Sequence, residues 1–335
     1  MYLRFFLVYF IIRFLIDNEI LKLRLFFITA ALCSIFVSLD VILQFITGKD
    51  IFGYESFSRR YPGPFGDEAI SGSYLQRFSL FIFFLFPIFF SNKIKNSYIL
   101  SASVIFILVF CATLFSGNKF PFVMFIFSII ILLILIVRSK KLILSLFIFS
   151  VSIFFIFFKY NFEVKNNFGN FYSKISQVQI YTKSILDNIK NDTEVIIPNT
   201  WIKEMHHGLL AFNSKKLFGG GIKSYKISCP KFAEYSCAPH PHNYHIEILV
   251  SAGLFGYFFL LIFFVKFLIN FYKNYFLFKG SNNLMLMLFS TLFFIEFFPL
   301  RTTGSFFSTA NATYFCIIMS IAISLILRKT NKQIL

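Results

Sequence analysis

The segment His240-Pro241-His242-Asn243-Tyr244-His245-Ile246-Glu247 gathers three imidazoles, an amide and a carboxylate within eight residues. The chain has five histidines, and the other two, His206 and His207, precede this segment in the same polar stretch. A neutral imidazole accepts a proton near neutral pH, so this set of groups suits general-base activation of a hydroxyl. A helix that begins near His242 puts Asn243 and Glu247 one turn apart on one face. His242 then sits at the mouth and is the candidate base, with His240, Asn243 and Glu247 in support. A histidine at a helix entrance also serves simply as a cap or an interfacial residue. Zinc binding by His240, His242 and His245 is a rival reading, but their spacing matches no known zinc pattern.

The second group is basic. Arg59, Arg60, Arg77, Lys119, Lys215, Lys216, Lys223, Lys226 and Arg301 fall in segments, or at span ends, that the topology below assigns to the outer side. Lipid headgroups or solvent account for Lys215 and Lys216. Arg77 and Lys119 are different, because one lies inside an apolar span and the other in a turn short enough to lie at the membrane surface. Charge at such depth is a functional feature by default. Cations converging on one outer cavity would bind a pyrophosphate, and Lys119, Arg77, Lys223 and Lys226 are the candidates.

Asp40 and Glu296 are carboxylates within spans, where pairing with an Arg or Lys of a neighbouring helix is the plain expectation. Cys33, Cys111 and Cys316 lie in apolar runs and read as packing. Cys229 and Cys237 lie eight residues apart in the outer polar stretch, where an oxidising compartment allows a disulfide that braces the chain before His240. Ser251-Ala252-Gly253-Leu254-Phe255-Gly256 carries small residues at a spacing that lets helices approach closely in lipid.

The elements that must position these groups are membrane spans. Over 335 residues the chain is 57% hydrophobic and 14% charged, and its mean hydropathy is +0.74. No soluble domain of this length is so apolar. About nine runs approach the ~20 residues that cross a bilayer: 1–16, 25–47, 72–91, 98–117, 120–137, 141–159, 243–270, 282–300 and 307–327. The fold class is therefore all-α, a polytopic membrane bundle forming one domain over 1–335. The 54 phenylalanines accompany abundant Ile, Lys and Asn, which fits an AT-rich coding sequence and carries no function.

The net charge of +17 is mostly topological. Short basic turns at Lys22/Arg24, Lys93/Lys95, 138–141, 273–279 and 328–332 all fall on one side, which the positive-inside rule makes cytoplasmic. No basic domain, RNA motif or phosphate-binding loop is present, so no nucleic-acid partner is expected. The segments 48–71 and 160–242 then face outward. The 160–242 loop, inserted between spans six and seven, contains short amphipathic patches such as 171–189. An odd number of spans puts Met1 outside, so either N-terminal helices are missing or the first span is re-entrant.

These residues resemble the bacterial O-antigen ligase and polymerase superfamily. The ligase pattern of His, then Asn, Ser or Gln, nine residues and Gly-x-x-Gly reads here as His242-Asn243, Tyr244 to Ala252, and Gly253-Leu254-Phe255-Gly256-Tyr257. Three weaker matches follow in the family's order. Pro62-Gly63-Pro64-Phe65-Gly66-Asp67-Glu68 with Gly72-Ser73-Tyr74-Leu75 resembles the first outer loop and the helix after it. Ser116-Gly117-Asn118-Lys119 resembles a Ser-Gly-x-Arg turn, with Lys for Arg. Leu217-Phe218-Gly219-Gly220-Gly221-Ile222 resembles a Gly-containing turn before the histidine. The family's second outer-loop Arg has no clear equivalent, and Lys223 or Lys226 is assigned in its place. An ammonium binds phosphate as a point charge and cannot clamp it in two-point fashion.

The resemblance implies transfer of a glycan from undecaprenyl pyrophosphate to a sugar hydroxyl at the periplasmic face of the bacterial inner membrane. The acceptor is lipid A-core for a ligase or a second lipid-linked chain for a polymerase, and no cofactor or metal is implied. The histidine pattern favours the ligase. A flippase or transporter of lipid-linked glycan is the reading from another class. It calls for functional charge on both faces and an internal repeat, and the sequence has neither.

Overall fold

The computed structural model describes residues 3–56, 60–89, 96–136, 140–191, 194–197, 200–232, 237–277, 280–299, 301 and 304–327. Thirteen helices occur among them: α1 (Leu3–Asp17), α2 (Leu23–Thr47), α3 (Ser71–Phe78), α4 (Leu80–Phe89), α5 (Asn96–Phe115), α6 (Lys119–Ile136), α7 (Lys140–Tyr160), α8 (Phe162–Asn191), α9 (Thr200–Ser214), α10 (Tyr225–Ser228), α11 (Tyr244–Leu277), α12 (Gly280–Glu296) and α13 (Thr309–Leu327). Four stretches, Leu23–Thr47, Ser71–Phe89, Tyr244–Tyr275 and Thr309–Leu327, are long and apolar enough to cross a bilayer, and four shorter apolar helices accompany them. The chain is an all-α membrane protein. Arg59, the Lys93/Lys95 and Arg138-Ser139 turns, and the 328–332 turn lie outside the described residues.

The chain divides into two compact units. One comprises Met1–Ile11, Phe171–Tyr272 and Glu296–Ser320; the other comprises Ile12–Asn170, Lys273–Ile295 and Ile321–Leu335. In the second unit α2 packs against α4 and α5, while α3 packs against α5 and α6. Phenylalanines fill that core edge to face. Phe27 meets Phe81 at 4.9 Å, Phe89 at 5.1 Å and Phe289 at 6.1 Å between ring centroids. This arrangement sets the positive edge of one ring against the negative face of another. Helix α2 ends at Gly48, whose φ of +83° and N–H bond to the Gln44 carbonyl form a left-handed cap.

Asp40 of α2 does not follow the expectation of a basic partner. Its Oδ1 accepts the Ile51 N–H at 2.8 Å and ties the following loop back onto the helix. In the same loop Asp50 Oδ1 accepts from the N–H groups of Phe52 and Tyr54.

The polar stretch is more regular than short patches. Helix α8 runs unbroken for 30 residues. Asn161 Oδ1 caps it by accepting the Val164 N–H at 3.0 Å. Glu163 in the first turn and Lys190 in the last complement the helix dipole. The segment holds one glycine and no proline, so nothing interrupts it. Helix α11 turns Leu254, Phe255, Phe258 and Phe259 outward, as a lipid-facing helix does.

Candidate functional site

Helix α11 begins two residues after the histidine that the motif singles out. Asn243 is its N-cap, with Oδ1 accepting the Ile246 N–H at 3.1 Å. His242 stands just before the cap with φ +55°, a left-handed backbone. Such a conformation costs a non-glycine residue about 1–3 kcal/mol and persists where the surroundings impose it. Here they do. Asn243 Nδ2 donates to the carbonyls of Pro299 at 2.7 Å and Arg301 at 3.4 Å. On the other side, a Cβ at Gly208 of α9 would lie 3.0 Å from Pro241 Cβ and 2.5 Å from Ile246 Cγ2, so α9 closes on this turn through a bare backbone. The half-buried His242 ring meets His240 edge-on at 4.4 Å.

Residues 296, 297, 299, 301, 305 and 306 are each hydrogen-bonded to the start of α11 or its cap. Tyr244 Oη donates to Glu296 Oε1 at 3.2 Å. His245 Nε2 lies 3.0 Å from the Phe297 carbonyl and Nδ1 lies 2.9 Å from Tyr257 Oη. Glu247 accepts from Ser305 Oγ at 2.5 Å and from the Phe306 N–H at 2.6 Å. Glu296 pairs with Arg301 at 2.8 Å, both side chains almost fully buried. Glu247 therefore faces a turn and is a positioning carboxylate, one helical turn below Asn243 as the sequence implies. Lys223, itself left-handed at φ +62°, lies within electrostatic reach of Glu247; it and Lys226 of α10 are both exposed.

The small residues after the histidine serve a different neighbour from the one expected. Gly253 breaks α11 with φ +66° and ψ −169°. A Cβ there would sit 2.3 Å from the Leu217 carbonyl oxygen, and one at Gly219 would sit 2.5 Å from the Ser251 carbonyl carbon. The glycine turn 217–221 lies directly on the break. Backbone groups freed by the break are satisfied by that turn. Gly220 and Gly221 donate to Val250 and Ser251, while Leu254 and Phe255 donate to Lys216 and Leu217, all at 2.8–3.0 Å. Intramembrane helices tolerate a break only when such partners are supplied. Gly256 lies one turn on, where an added Cβ would meet Ala252 Cβ at 2.4 Å.

Behind this turn a small core of Ala211, Tyr225, Cys229, Ile246 and Val250 joins α9 to α11. Cys229 and Cys237 are bonded to one another, with Cα atoms 6.1 Å apart. His207 is buried and its Nδ1 lies 3.7 Å from Cys229 Sγ. Burial pushes the His207 imidazole below its usual range, against a smaller opposing pull from Glu204. His206 is lowered too, by burial and then by His207, and its Nδ1 meets Tyr181 Oη at 2.9 Å. Glu204 Oε2 accepts from Tyr225 Oη at 2.6 Å and from the Ala238 N–H at 3.2 Å. Among the described residues His207, Cys229 and Cys237 are the only group of three such side chains spaced to hold a metal. His240, His242 and His245 do not form one.

Lys119 and Arg77 belong to the other unit. Lys119 opens α6 directly after the Ser116-Gly117-Asn118 turn, and Arg77 lies in the last turn of α3. Gly72 of α3 lets that turn close. A Cβ on it would lie 2.6 Å from both Asn118 Cβ and Ser116 Oγ. Tyr61 joins the same neighbourhood. Its N–H donates to Ser116, its carbonyl accepts from Ser71 Oγ, and its phenol donates to Glu163. Burial and that carboxylate push the Tyr61 phenol upward. Two of the short motifs in the sequence, around Gly72 and around Asn118, are thus packed together.

Residues 104–261 match the family model described as O-antigen ligase. The match covers a little under half of the chain and supports the O-antigen ligase superfamily. No curated protein matches the chain. The matched span includes Lys119, the glycine turn, His242 and both glycines of the Gly253/Gly256 pair. The family supports a glycosyl-transferring membrane enzyme of the ligase or polymerase type. Outside that span lie Arg77, Glu296, Arg301 and Ser305. The last three hold the His242 turn, and their part was not readable from spacing, because they are brought back from more than 50 positions away.

Proposed function

We propose that this chain transfers a glycan from undecaprenyl pyrophosphate to a sugar hydroxyl, on lipid A-core or on a second glycan, at the periplasmic face. The observation that carries this reading is the entrance of α11. His242 is held in a left-handed turn beside a cap whose amide, carboxylate and tyrosine neighbours are all committed to the 296–306 segment. Among the described residues no hydrogen bond engages the His242 ring, so its nitrogens remain available to an acceptor hydroxyl.

His242 takes the acceptor proton as its oxygen attacks the anomeric carbon. The bond to the pyrophosphate breaks on the opposite side in the same displacement. Lys119, with Arg77, is assigned to the leaving pyrophosphate, whose growing charge a fixed cation offsets. Lys223 is assigned to the His242 side, next to Glu247. Of the two lysines, Lys223 is preferred over Lys226 for this proximity to Glu247. His240 supports the His242 ring by edge contact.

Surface polysaccharide from a deletion strain tests the reading. Complemented with the wild-type gene or with Lys119→Arg, the strain carries polymer on lipid A-core. With Lys119→Ala it carries little, at equal protein level. Loss of all polymer from the core in the deletion strain marks a ligase, while a single repeat unit on the core marks the polymerase. Unchanged polysaccharide in the deletion strain would remove the assignment, and full activity of Lys119→Ala would return that lysine to headgroup contact.

A further inference from the structure

One cluster in the polar stretch takes no part in the proposed transfer. We propose that His207, Cys229 and Cys237 become a binding site for a soft divalent cation of the zinc class once the Cys229–Cys237 bond is reduced. An imidazole nitrogen and the two sulfurs lie within 4.8 Å of one another. In a tetrahedral zinc site, bonds of about 2.3 Å to sulfur and 2.0–2.1 Å to nitrogen set the ligands about 3.6–3.8 Å apart. His207 Nδ1 and Cys229 Sγ are already 3.7 Å apart. Only Cys237 must turn its sulfur away, and a 6.1 Å Cα separation permits that without moving the backbone far.

The surroundings keep the three ligands together when the bond opens. His207 and Glu204 lie one turn apart on α9, and Glu204 holds the Ala238 N–H next to Cys237. Cys229 is fixed in the buried core, while Cys237 is only half-buried and offers the sulfur that a reductant reaches. A dithiol supplies the two electrons and two protons. Its own sulfurs become a disulfide, and Cys229 and Cys237 become thiols. Binding of the ion then releases both thiol protons to solvent. Two thiolates, a neutral imidazole and a divalent cation sum to zero charge, the form a buried position tolerates best. A water completes the fourth position.

The test uses the full chain in detergent with Cys33, Cys111 and Cys316, the remaining cysteines, replaced by serine. Protein is reduced with a dithiol, freed of it under nitrogen and titrated with cobalt(II) alone. The reduced protein takes up one equivalent and shows the visible bands of tetrahedral cobalt with sulfur charge transfer, while the oxidised protein shows neither. His207→Gln weakens cobalt binding about tenfold or more, since loss of even an outer partner of a metal ligand costs that much. In protein that retains His207, zinc also shields Cys229 and Cys237 from maleimide, as counted by mass spectrometry. That readout needs no His207 variant to fold. Absence of cobalt uptake after reduction, unchanged affinity in His207→Gln, or equal alkylation with and without zinc would each overturn the proposal.

Discussion

His242 and His245 are three residues apart and chemically unlike. A carbonyl only accepts, so His245 Nε2 carries the hydrogen given to Phe297, and Nδ1 is engaged by Tyr257 Oη. Both its nitrogens are spent on structure. His242 spends neither on a described partner and stands in a strained backbone instead. The Glu296–Arg301 pair sets how firmly that backbone is held, because the Arg301 carbonyl accepts from Asn243. Removing one member of a buried pair strands the other charge and costs about 3–5 kcal/mol. Glu296→Gln and Arg301→Met should each lower detergent-denaturation stability on that order, and the double variant should regain most of the loss. A double-variant loss equal to the sum of the two single losses would mean that the side chains act independently and that the pair is not what holds the turn.

At the scale of elements, the Gly253 break and the 217–221 turn act as one part. A side chain at Gly253 meets main chain, which cannot swing aside, and φ +66° is unfavourable for any L-residue. Gly253→Ala should therefore destabilise by about 2 kcal/mol or more, seen as a lowered melting temperature. Gly221→Ala has open space around its Cβ and pays only for its left-handed φ, so it should be milder. If the two behave alike, the close approach at Gly253 carries no weight. The apolar, all-helical character was legible in the sequence because hydropathy reports burial in lipid directly, while four of the nine expected runs recur among the described residues as helices long enough to cross. The entrance of α11 was legible too, because a cap, a histidine and a carboxylate one turn on share a local geometry. The partner of Gly253 was not, since spacing reveals that a residue is small and not which backbone comes to meet it. Glu296 was expected to pair with a base of a neighbouring helix and found Arg301 five residues on, past the end of its own helix, while Asp40 turned to a loop N–H, a choice set by how the chain after α2 folds back.

For the whole molecule, the catalytic proposal requires that the polar stretch 160–242 face the periplasm. The one-sided distribution of short basic turns motivates that orientation. In a cysteine-free background, Asn191→Cys should react with an impermeant maleimide in cells whose outer membrane has been permeabilised, and Ser139→Cys should not. The reverse labelling would invert the topology and put His242 on the wrong side of the membrane for its donor. The central proposal is that the His242 imidazole accepts the proton of the acceptor hydroxyl. Its most direct measurement is the transfer rate in vitro, with purified protein, polyprenyl-pyrophosphate-linked glycan and lipid A-core. General-base assistance is worth about 10²–10⁴ in rate. His242→Ala should lose transfer on that scale while it still inserts and still binds the donor. A His242→Ala protein that transfers glycan at the wild-type rate would contradict the assignment.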